Sequence, residues 1–159
     1  DLSCLPENLK YLGIVTGGVC YESITSVEHL KGLKGVYLSD INYLKHFEHM
    51  PLSSLAFNGS DREIVESSKI FPNLRKIEIV AGAEETSFVF TEKYSNIECV
   101  SFSFSEKPQI SGWQHLVNLK KIDLEDLCPK KFSIPKSFEG RIAIKANPGL
   151  TIHWTDDEV

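Results

Sequence analysis

Apolar residues recur along this chain with a spacing that matches neither a simple amphipathic helix nor a simple strand. Between residues 71 and 79 they fall at Phe71, Leu74, Ile77 and Ile79, so that successive steps are 3, 3 and 2 residues. The same steps recur in three other sets: Leu30, Leu33, Val36 and Leu38; Tyr94, Ile97, Val100 and Phe102; and Leu116, Leu119, Ile122 and Leu124. Four matches to one spacing rule indicate an internal repeat.

Weaker copies extend the series in both directions. They are Leu9, Leu12 and Ile14 near the start, Leu52, Leu55 and Phe57 further along, and a degraded copy at Ile142 and Ile144. The last apolar residues of the copies then lie at positions 14, 38, 57, 79, 102, 124 and 144, separated by 24, 19, 22, 23, 22 and 20 residues. Such a period predicts stacked turns that each contribute one strand and one returning segment.

Polar residues repeat in phase with the apolar ones. An asparagine stands directly before the L-x-x-L-x-L core in four copies, at Asn8, Asn73, Asn96 and Asn118. A basic residue follows the first position of the core in four copies, at Lys10, Lys34, Arg75 and Lys120. Through the segments NLKYLGI, GLKGVYL, NLRKIEI, NIECVSF and NLKKIDL, the chain resembles the leucine-rich repeat family over roughly residues 5 to 144. The resemblance implies one domain of about seven repeats over residues 1–159, which we expect to be part of a larger protein because it begins at Asp1.

One position departs from the family pattern. The consensus continues to an asparagine whose side chain bonds the backbone of neighbouring turns, but this chain carries other residues there: Gly17, Ile41, Ser60, Gly82, Ser105 and Leu127. No asparagine ladder is therefore expected. Irregular repeats of this kind resemble those of intracellular recognition proteins more than the regular coils of extracellular receptors.

The repeat also predicts the fold. Alternating apolar and polar residues at the end of each copy predict a short strand buried on one side, and stacking predicts that these strands run parallel. The resemblance implies an α/β solenoid with a parallel sheet on the concave face and short helices and extended returns on the convex face. Helical signals lie at residues 40–47, 60–69 and 111–116, and a β-branched and aromatic run at 86–91 predicts an extended return.

The two ends of a solenoid need caps, because each leaves an apolar edge that water would otherwise meet. Leu2, Leu5 and Pro6 are the candidates at the front. Leu150, Ile152 and Trp154 alternate with polar residues and predict a closing strand at the back.

Composition narrows the class without naming an activity. The 159 residues are 42% hydrophobic and 25% charged, which disfavours disorder, and no apolar run approaches the length of a membrane span. The net charge of −5 argues against nucleic acid as the partner. Neither a membrane nor a small-molecule substrate is expected as a partner. We expect a cytoplasmic location, although the acceptor pattern at Asn58 leaves a secreted setting open.

The cysteines and histidines predict no metal site and no cofactor. Cys4, Cys20, Cys99 and Cys128 are far apart in sequence, so they are expected to be buried, reduced thiols rather than zinc ligands. His46 and His49 would share one face of a helix, but no third ligand lies nearby and we expect both to be solvated. No catalytic motif is present, so the chain is not expected to be an enzyme.

The strongest functional candidates are the polar positions of the strands, which should form columns on the concave sheet. Tyr and Arg often anchor interfaces, and a basic row suits an acidic partner. The predicted partner-binding residues are Lys10, Tyr11, Lys34, Tyr37, Arg75, Lys76, Glu78, Glu98, Lys120, Lys121 and Asp123. The same lysines would also keep an exposed sheet soluble with no partner at all.

These features favour a non-catalytic module that binds a protein or peptide on its concave face. Two settings fit: the recognition part of an intracellular adaptor, such as an F-box-type ubiquitin ligase subunit, and the sensing or autoinhibitory repeats of an innate immune receptor. A purely structural or oligomerisation unit is the alternative from another class.

Overall fold

The chain folds as a solenoid built on parallel strands. The computed structural model describes residues 1–15, 24–58, 72–81, 87–104, 109–124 and 130–156. The strands in these ranges are β1 Tyr11–Ile14, β2 Gly35–Leu38, β3 Ser54–Asn58, β4 Lys76–Ala81, β5 Ser87–Val89, β6 Cys99–Phe104, β7 Gln109–Ser111, β8 Lys121–Leu124, β9 Lys131–Pro135, β10 Ala143–Ala146 and β11 Thr151–Thr155.

A seven-stranded parallel sheet runs the length of the solenoid in the order β1-β2-β3-β4-β6-β8-β10. Its register confirms the repeat, because the last apolar residues of successive copies are direct neighbours. They are Ile14, Leu38, Phe57, Ile79 and Phe102. The expectation of stacked parallel strands is therefore confirmed within the described residues.

The seventh copy lies at a different place from the one expected. Ile144 pairs with Ile122, and Ala146 pairs with Leu124, so the copy ends at Ala146 and not at Ile144. The prediction from Ile142 and Ile144 was wrong, because it placed the end of the copy two residues too early. Alanine is too small to stand out in an apolar pattern, whereas the backbone of β10 follows the register that β8 sets for it.

The first step of 3 in each copy has a clear backbone origin. The N–H of Leu33 donates to the carbonyl of Leu30 at 3.0 Å, and that of Ile97 donates to Tyr94 at 3.0 Å. Leu119 repeats the bond to Leu116 at 3.1 Å. An i to i+3 hydrogen bond closes a tight turn that places residues three apart on the same side. The chain therefore turns on its first two apolar residues and then extends into the strand.

Successive turns are joined by carbonyl groups that each accept two hydrogen bonds. The carbonyl of Lys34 accepts from the N–H groups of Ser53 and Ser54 at 2.7 and 3.0 Å. The same arrangement recurs at four other carbonyls, those of Lys10, Ser53, Arg75 and Glu98. These shared bonds satisfy the backbone where each strand begins.

The returning segments combine 3₁₀ helices with short strands. Residues Ile41–Phe47 are helical, as predicted for 40–47, and the predicted turn at 111–116 contains the 3₁₀ helix Trp113–His115. Two further 3₁₀ helices are Glu92–Tyr94 and Lys136–Phe138. The predicted helix at 60–69 lies outside the described residues. The extended return predicted at 86–91 is confirmed by β5.

Two small parallel sheets line the returning side, β5 with β7 and β11 with β9. The predicted closing strand at the back therefore exists as β11, and it pairs with β9. At the front, Leu2 and Leu5 pack partly buried against the core, as expected of a cap.

The core follows the predicted apolar positions closely. Leu38, Leu52, Phe57, Ile77 and Leu124 are among those with no exposed surface. Aromatic rings fill the interior behind the later strands, in a cluster of which the spacing rule identifies only Tyr94 and Phe102. Its members are Phe88, Phe90, Tyr94, Phe102, Phe104, Trp113, Phe132 and Phe138. Ring centroids within it lie 4.9 to 6.4 Å apart, as in ordinary aromatic packing.

Candidate interaction site on the outward face of the main sheet

The outward side chains of the main sheet form three rows that cross the strands. The edge row, at the residues just before the strands, holds Lys10, Lys34, Ser53, Arg75, Glu98 and Lys120. The first row holds Tyr11, Gly35, Ser54, Lys76, Cys99, Lys121 and Ala143. The second row holds Gly13, Tyr37, Ala56, Glu78, Ser101, Asp123 and Lys145. The structure thus places all the predicted partner-binding residues on one surface.

Glu98 is the centre of an ion-paired network in the edge row. Its carboxylate accepts a hydrogen bond from Lys120 Nζ at 2.9 Å, and Arg75 Nε lies 3.8 Å from its other oxygen. The hydrogen bond from Lys120 is the largest influence on this carboxyl, and with the charges of Lys120 and Arg75 it holds the pKa of Glu98 below its ordinary value. Two of the predicted basic residues are therefore already engaged.

The other two rows repeat this neutralisation within single strands. Lys76 lies 3.6 Å from Glu78 in β4, and Lys121 lies 3.1 Å from Asp123 in β8. Cys99 lies between the two lysines in the first row. Burial raises the pKa of the Cys99 thiol, although Lys121 and Lys76 oppose this effect. We call the surface of β4, β6 and β8 the ion-paired half.

The surface of β1, β2 and β3 is different, because small residues there leave a groove. Gly13 has no atom within 4 Å of the place where a side chain would begin, and Ser54 and Ala56 continue the floor. Tyr11 is 67% exposed and its ring lies against Gly35, where an added Cβ would come within 2.8 Å of the ring.

Tyr37 and Lys76 with Glu78 also line this groove, which has a volume of ≈ 310 Å³. We call it the tyrosine groove. Tyr11 and Tyr37 lie on neighbouring strands, where the register pairs Tyr11 with Gly35 and Tyr37 with Gly13. Because the residue opposite Tyr37 is Gly13, which has nothing within 4 Å of an added Cβ, the surface beside the two rings is open.

The edge row beside the tyrosine groove carries two lysines that form no ion pair with any residue that the structure describes. Among the described residues, no carboxylate lies within ion-pair distance of Lys10 or Lys34. Both side chains are exposed. The two lysines of this surface that form no ion pair with any described residue therefore lie on its first two turns.

Sequence reasoning missed two features of this surface. It identified the large and charged positions but gave no role to Gly13, Gly35, Ser54 and Ala56, whose lack of bulk forms the groove. It also left out Lys145, because β10 begins one alternation later than the pattern suggested. Pairing each tyrosine with the glycine opposite it would have revealed the groove from the sequence.

A second cavity, of ≈ 490 Å³, lies on the returning side near the last turns. Trp113, Pro135, Phe138 and Arg141 line it, and the Arg141 guanidinium lies 5.8 Å from the centre of the Phe138 ring. None of the predicted site residues lines this cavity.

The cysteines and histidines differ in their surroundings. Cys4 is exposed, so the expectation of buried thiols was wrong for it, and Cys99 is half-buried; both are free thiols. Cys20 and Cys128 lie outside the described residues.

His46 is half-buried, with its Nε2 3.5 Å from the backbone nitrogen of Ile24, whereas His49 is exposed. No group of three metal-ligating side chains occurs in the described ranges.

Comparison with known proteins adds no relative to this picture. No known protein family, curated protein or solved structure matches the chain. Within the part of the chain that the structure describes, no helix has the length and apolar character that crossing a membrane requires.

Proposed function

We propose that this chain is a non-catalytic interaction module that binds a protein or peptide on its concave sheet, and that it is an irregular α/β leucine-rich repeat. The observation that carries the proposal is the tyrosine groove. It combines the exposed ring of Tyr11, the half-buried ring of Tyr37 and a floor of small residues. Beside it stand Lys10 and Lys34, which form no ion pair with any described residue, on the surface where a solenoid presents its widest continuous sheet.

The chemistry of the groove suits a protein partner. Tyrosine anchors interfaces because a large ring and a hydroxyl come with only two rotatable bonds. The groove is shallow and open along the sheet, whereas sites for small molecules enclose most of their ligand. The ion-paired half beside it has little unsatisfied charge, so we assign it to the support of the sheet more than to binding.

Affinity capture with mass spectrometry tests this proposal. The wild-type chain should capture a partner that Tyr11→Ala/Tyr37→Ala loses. The control Val89→Ala/Val117→Ala removes exposed apolar side chains elsewhere, which are 44% and 63% exposed, and should retain that partner. Equal capture by all three proteins would contradict the proposal.

Sedimentation at several concentrations separates this function from self-association. A structural or oligomerisation unit would form larger species as concentration rises, and Tyr11→Ala/Tyr37→Ala would abolish them. The proposal expects the wild-type chain to sediment as a monomer across the range. A tyrosine-dependent shift with concentration would favour oligomerisation instead.

A further inference from the structure

We infer that the tyrosine groove binds an extended acidic protein segment that carries one large apolar side chain, with that side chain between Tyr11 and Tyr37 and its carboxylates on Lys10 and Lys34. The inference rests on the proposed function and specifies the partner's chemistry. It is carried by three observations: the shape of the groove, its unpaired charge, and the charge of the whole chain.

The shape of the groove selects a single large side chain. Its floor consists of two glycines, a serine and an alanine, so nothing longer than a hydroxymethyl group rises from it. The exposed ring of Tyr11 forms one wall, and the Lys76–Glu78 pair limits the far end. A volume of ≈ 310 Å³ is near the lower limit of about 300 Å³ for ligand sites, which suits one aromatic or aliphatic anchor.

The charge beside the groove selects carboxylates. Lys10 and Lys34 stand next to each other in the edge row, and Lys31 is also exposed in the turn between them. Within the described residues these two edge-row lysines face no carboxylate, whereas Arg75 and Lys120 in the same row share Glu98. An incoming acidic segment therefore supplies the counter-charge that the ion-paired half supplies for itself.

The charge of the whole chain argues for a short acidic segment over a long polyanion. The net charge is −5, and beyond the first turns the cations of the sheet alternate with Glu78, Glu98 and Asp123, so a nucleic acid that tracked across the surface would meet carboxylates there. An extended peptide of a few residues would contact only the local cations. The groove beside those cations then adds an apolar contact that a phosphate backbone does not use.

Titration of the ¹⁵N-labelled chain with three synthetic peptides tests this inference by NMR. The first is a hexapeptide of Glu and Asp with one central Phe, the second replaces Phe with Ala, and the third replaces the acidic residues with Lys. The first should shift the amide signals of Gly13 and Gly35. We expect the second to bind about tenfold more weakly and the third not to bind.

Variants of the chain locate the contacts. Gly13→Leu places a side chain in open space inside the groove, so it should fold normally and lose binding of the first peptide. Lys10→Glu/Lys34→Glu should also lose it. The charge-matched control Lys130→Glu/Lys136→Glu alters exposed lysines away from the concave sheet and should bind like the wild type.

The outcomes distinguish this inference from the broader proposal. Equal binding of the acidic and basic peptides, or binding that survives Gly13→Leu, would overturn the acidic-segment inference. The interaction function would still stand if a captured partner were lost from Tyr11→Ala/Tyr37→Ala. A single-stranded oligonucleotide that displaced the acidic peptide and shifted the same glycines would overturn the inference in favour of a polyanion.

Discussion

The two halves of the main sheet have the same backbone arrangement, but their outward side chains differ in how they interact. On β4, β6 and β8, opposite charges meet within the protein, from Arg75 and Lys120 on Glu98 to Lys121 on Asp123. On β1, β2 and β3, Gly13 leaves open space, and no carboxylate among the described residues pairs with Lys10 or Lys34. Neighbouring turns with the same backbone can thus carry one surface whose charges pair within the protein and another that is open to a partner.

The residue types that pack behind the two halves also differ. Leucines dominate behind β2 and β3, with Leu30, Leu33 and Leu38 fully buried. Behind β6 and β8, rings pack against rings, as Phe102 does against Phe132 at 5.3 Å. Stiff aromatic packing under a neutralised surface is consistent with a supporting role for that half, which leaves contact with a partner to the first turns.

The largest expected effect is on the free energy of unfolding, at a glycine beside the aromatic cluster. Gly112 has a φ of +75°, and a Cβ there would clash with the backbone carbonyl oxygen of Phe90. We expect Gly112→Ala to lower the free energy of unfolding by about 3 kcal/mol or more, because it adds a backbone clash to an unfavourable φ. Urea denaturation measures the change.

A matched glycine separates the clash from the backbone angle. Gly140 has a φ of +72° with nothing within 4 Å of an added Cβ. Gly140→Ala should therefore cost only about 1 kcal/mol. Equal losses for both variants would show that the contact with Phe90 does not hold the returning segments together.

The next effect, about tenfold, concerns thiol reactivity. Cys4 is exposed, whereas burial between strands raises the pKa of Cys99 in the ion-paired half. Because the thiolate is the reactive form, iodoacetamide should alkylate Cys4 about tenfold faster than Cys99 near neutral pH. Peptide-resolved mass spectrometry measures the two rates separately. A faster Cys99 would mean that Lys76 and Lys121 outweigh burial, and that this half is more open than the structure indicates.

A smaller effect is expected on the titration of Glu98. Lys120→Ala removes the hydrogen bond that lowers the pKa of Glu98 most, so this pKa should rise toward its ordinary value. Any stability that the pair contributes is present above the pKa of an unfolded Glu and is lost as pH falls through the lowered folded pKa. Carboxyl NMR titration checks the shift, with Lys93→Ala as a control for loss of a lysine elsewhere.

The smallest effect on stability should come from Gly35→Ala in the tyrosine groove. The new methyl would lie 2.8 Å from the Tyr11 ring and 3.2 Å from Ser54 Cβ, and the exposed ring is the group that we expect to move and relieve the contact. We expect the free energy of unfolding to change by less than about 0.5 kcal/mol, while the chemical shifts of the Tyr11 ring change clearly. A large loss of stability would show that Tyr11 supports the fold, and would remove the contrast between the halves.

Much of the fold could be predicted because the repeat forces one side-chain spacing on every turn. The strands that contain Leu38, Phe57 and Ile79 could be predicted, since a buried position on a strand tolerates few residues other than apolar ones. The aromatic cluster was not predictable, because Phe88, Phe132 and Phe138 lie on returns whose paths do not repeat. The helical signal at 40–47 was correct, although it cannot distinguish an α-helix from the 3₁₀ helix found.

The candidate site was predicted less completely than the fold. Its charged and aromatic residues follow from counting outward positions along each strand. The pairing of each tyrosine with a glycine depends on the register between strands, which spacing within a single copy does not reveal. Neither does it reveal that Glu98 engages Arg75 and Lys120 while Lys10 and Lys34 face no carboxylate in the described residues.

The carbonyls that accept two hydrogen bonds have a consequence for how this surface can change. Because the backbone of Lys10, Lys34, Ser53, Arg75 and Glu98 joins the turns, the bonds between turns do not depend on one residue type at these positions. These positions already carry four residue types: two that are positively charged, one that is negatively charged and one that is uncharged. Selection could therefore rewrite the recognition properties of the concave edge one position at a time, without cost to the architecture beneath it.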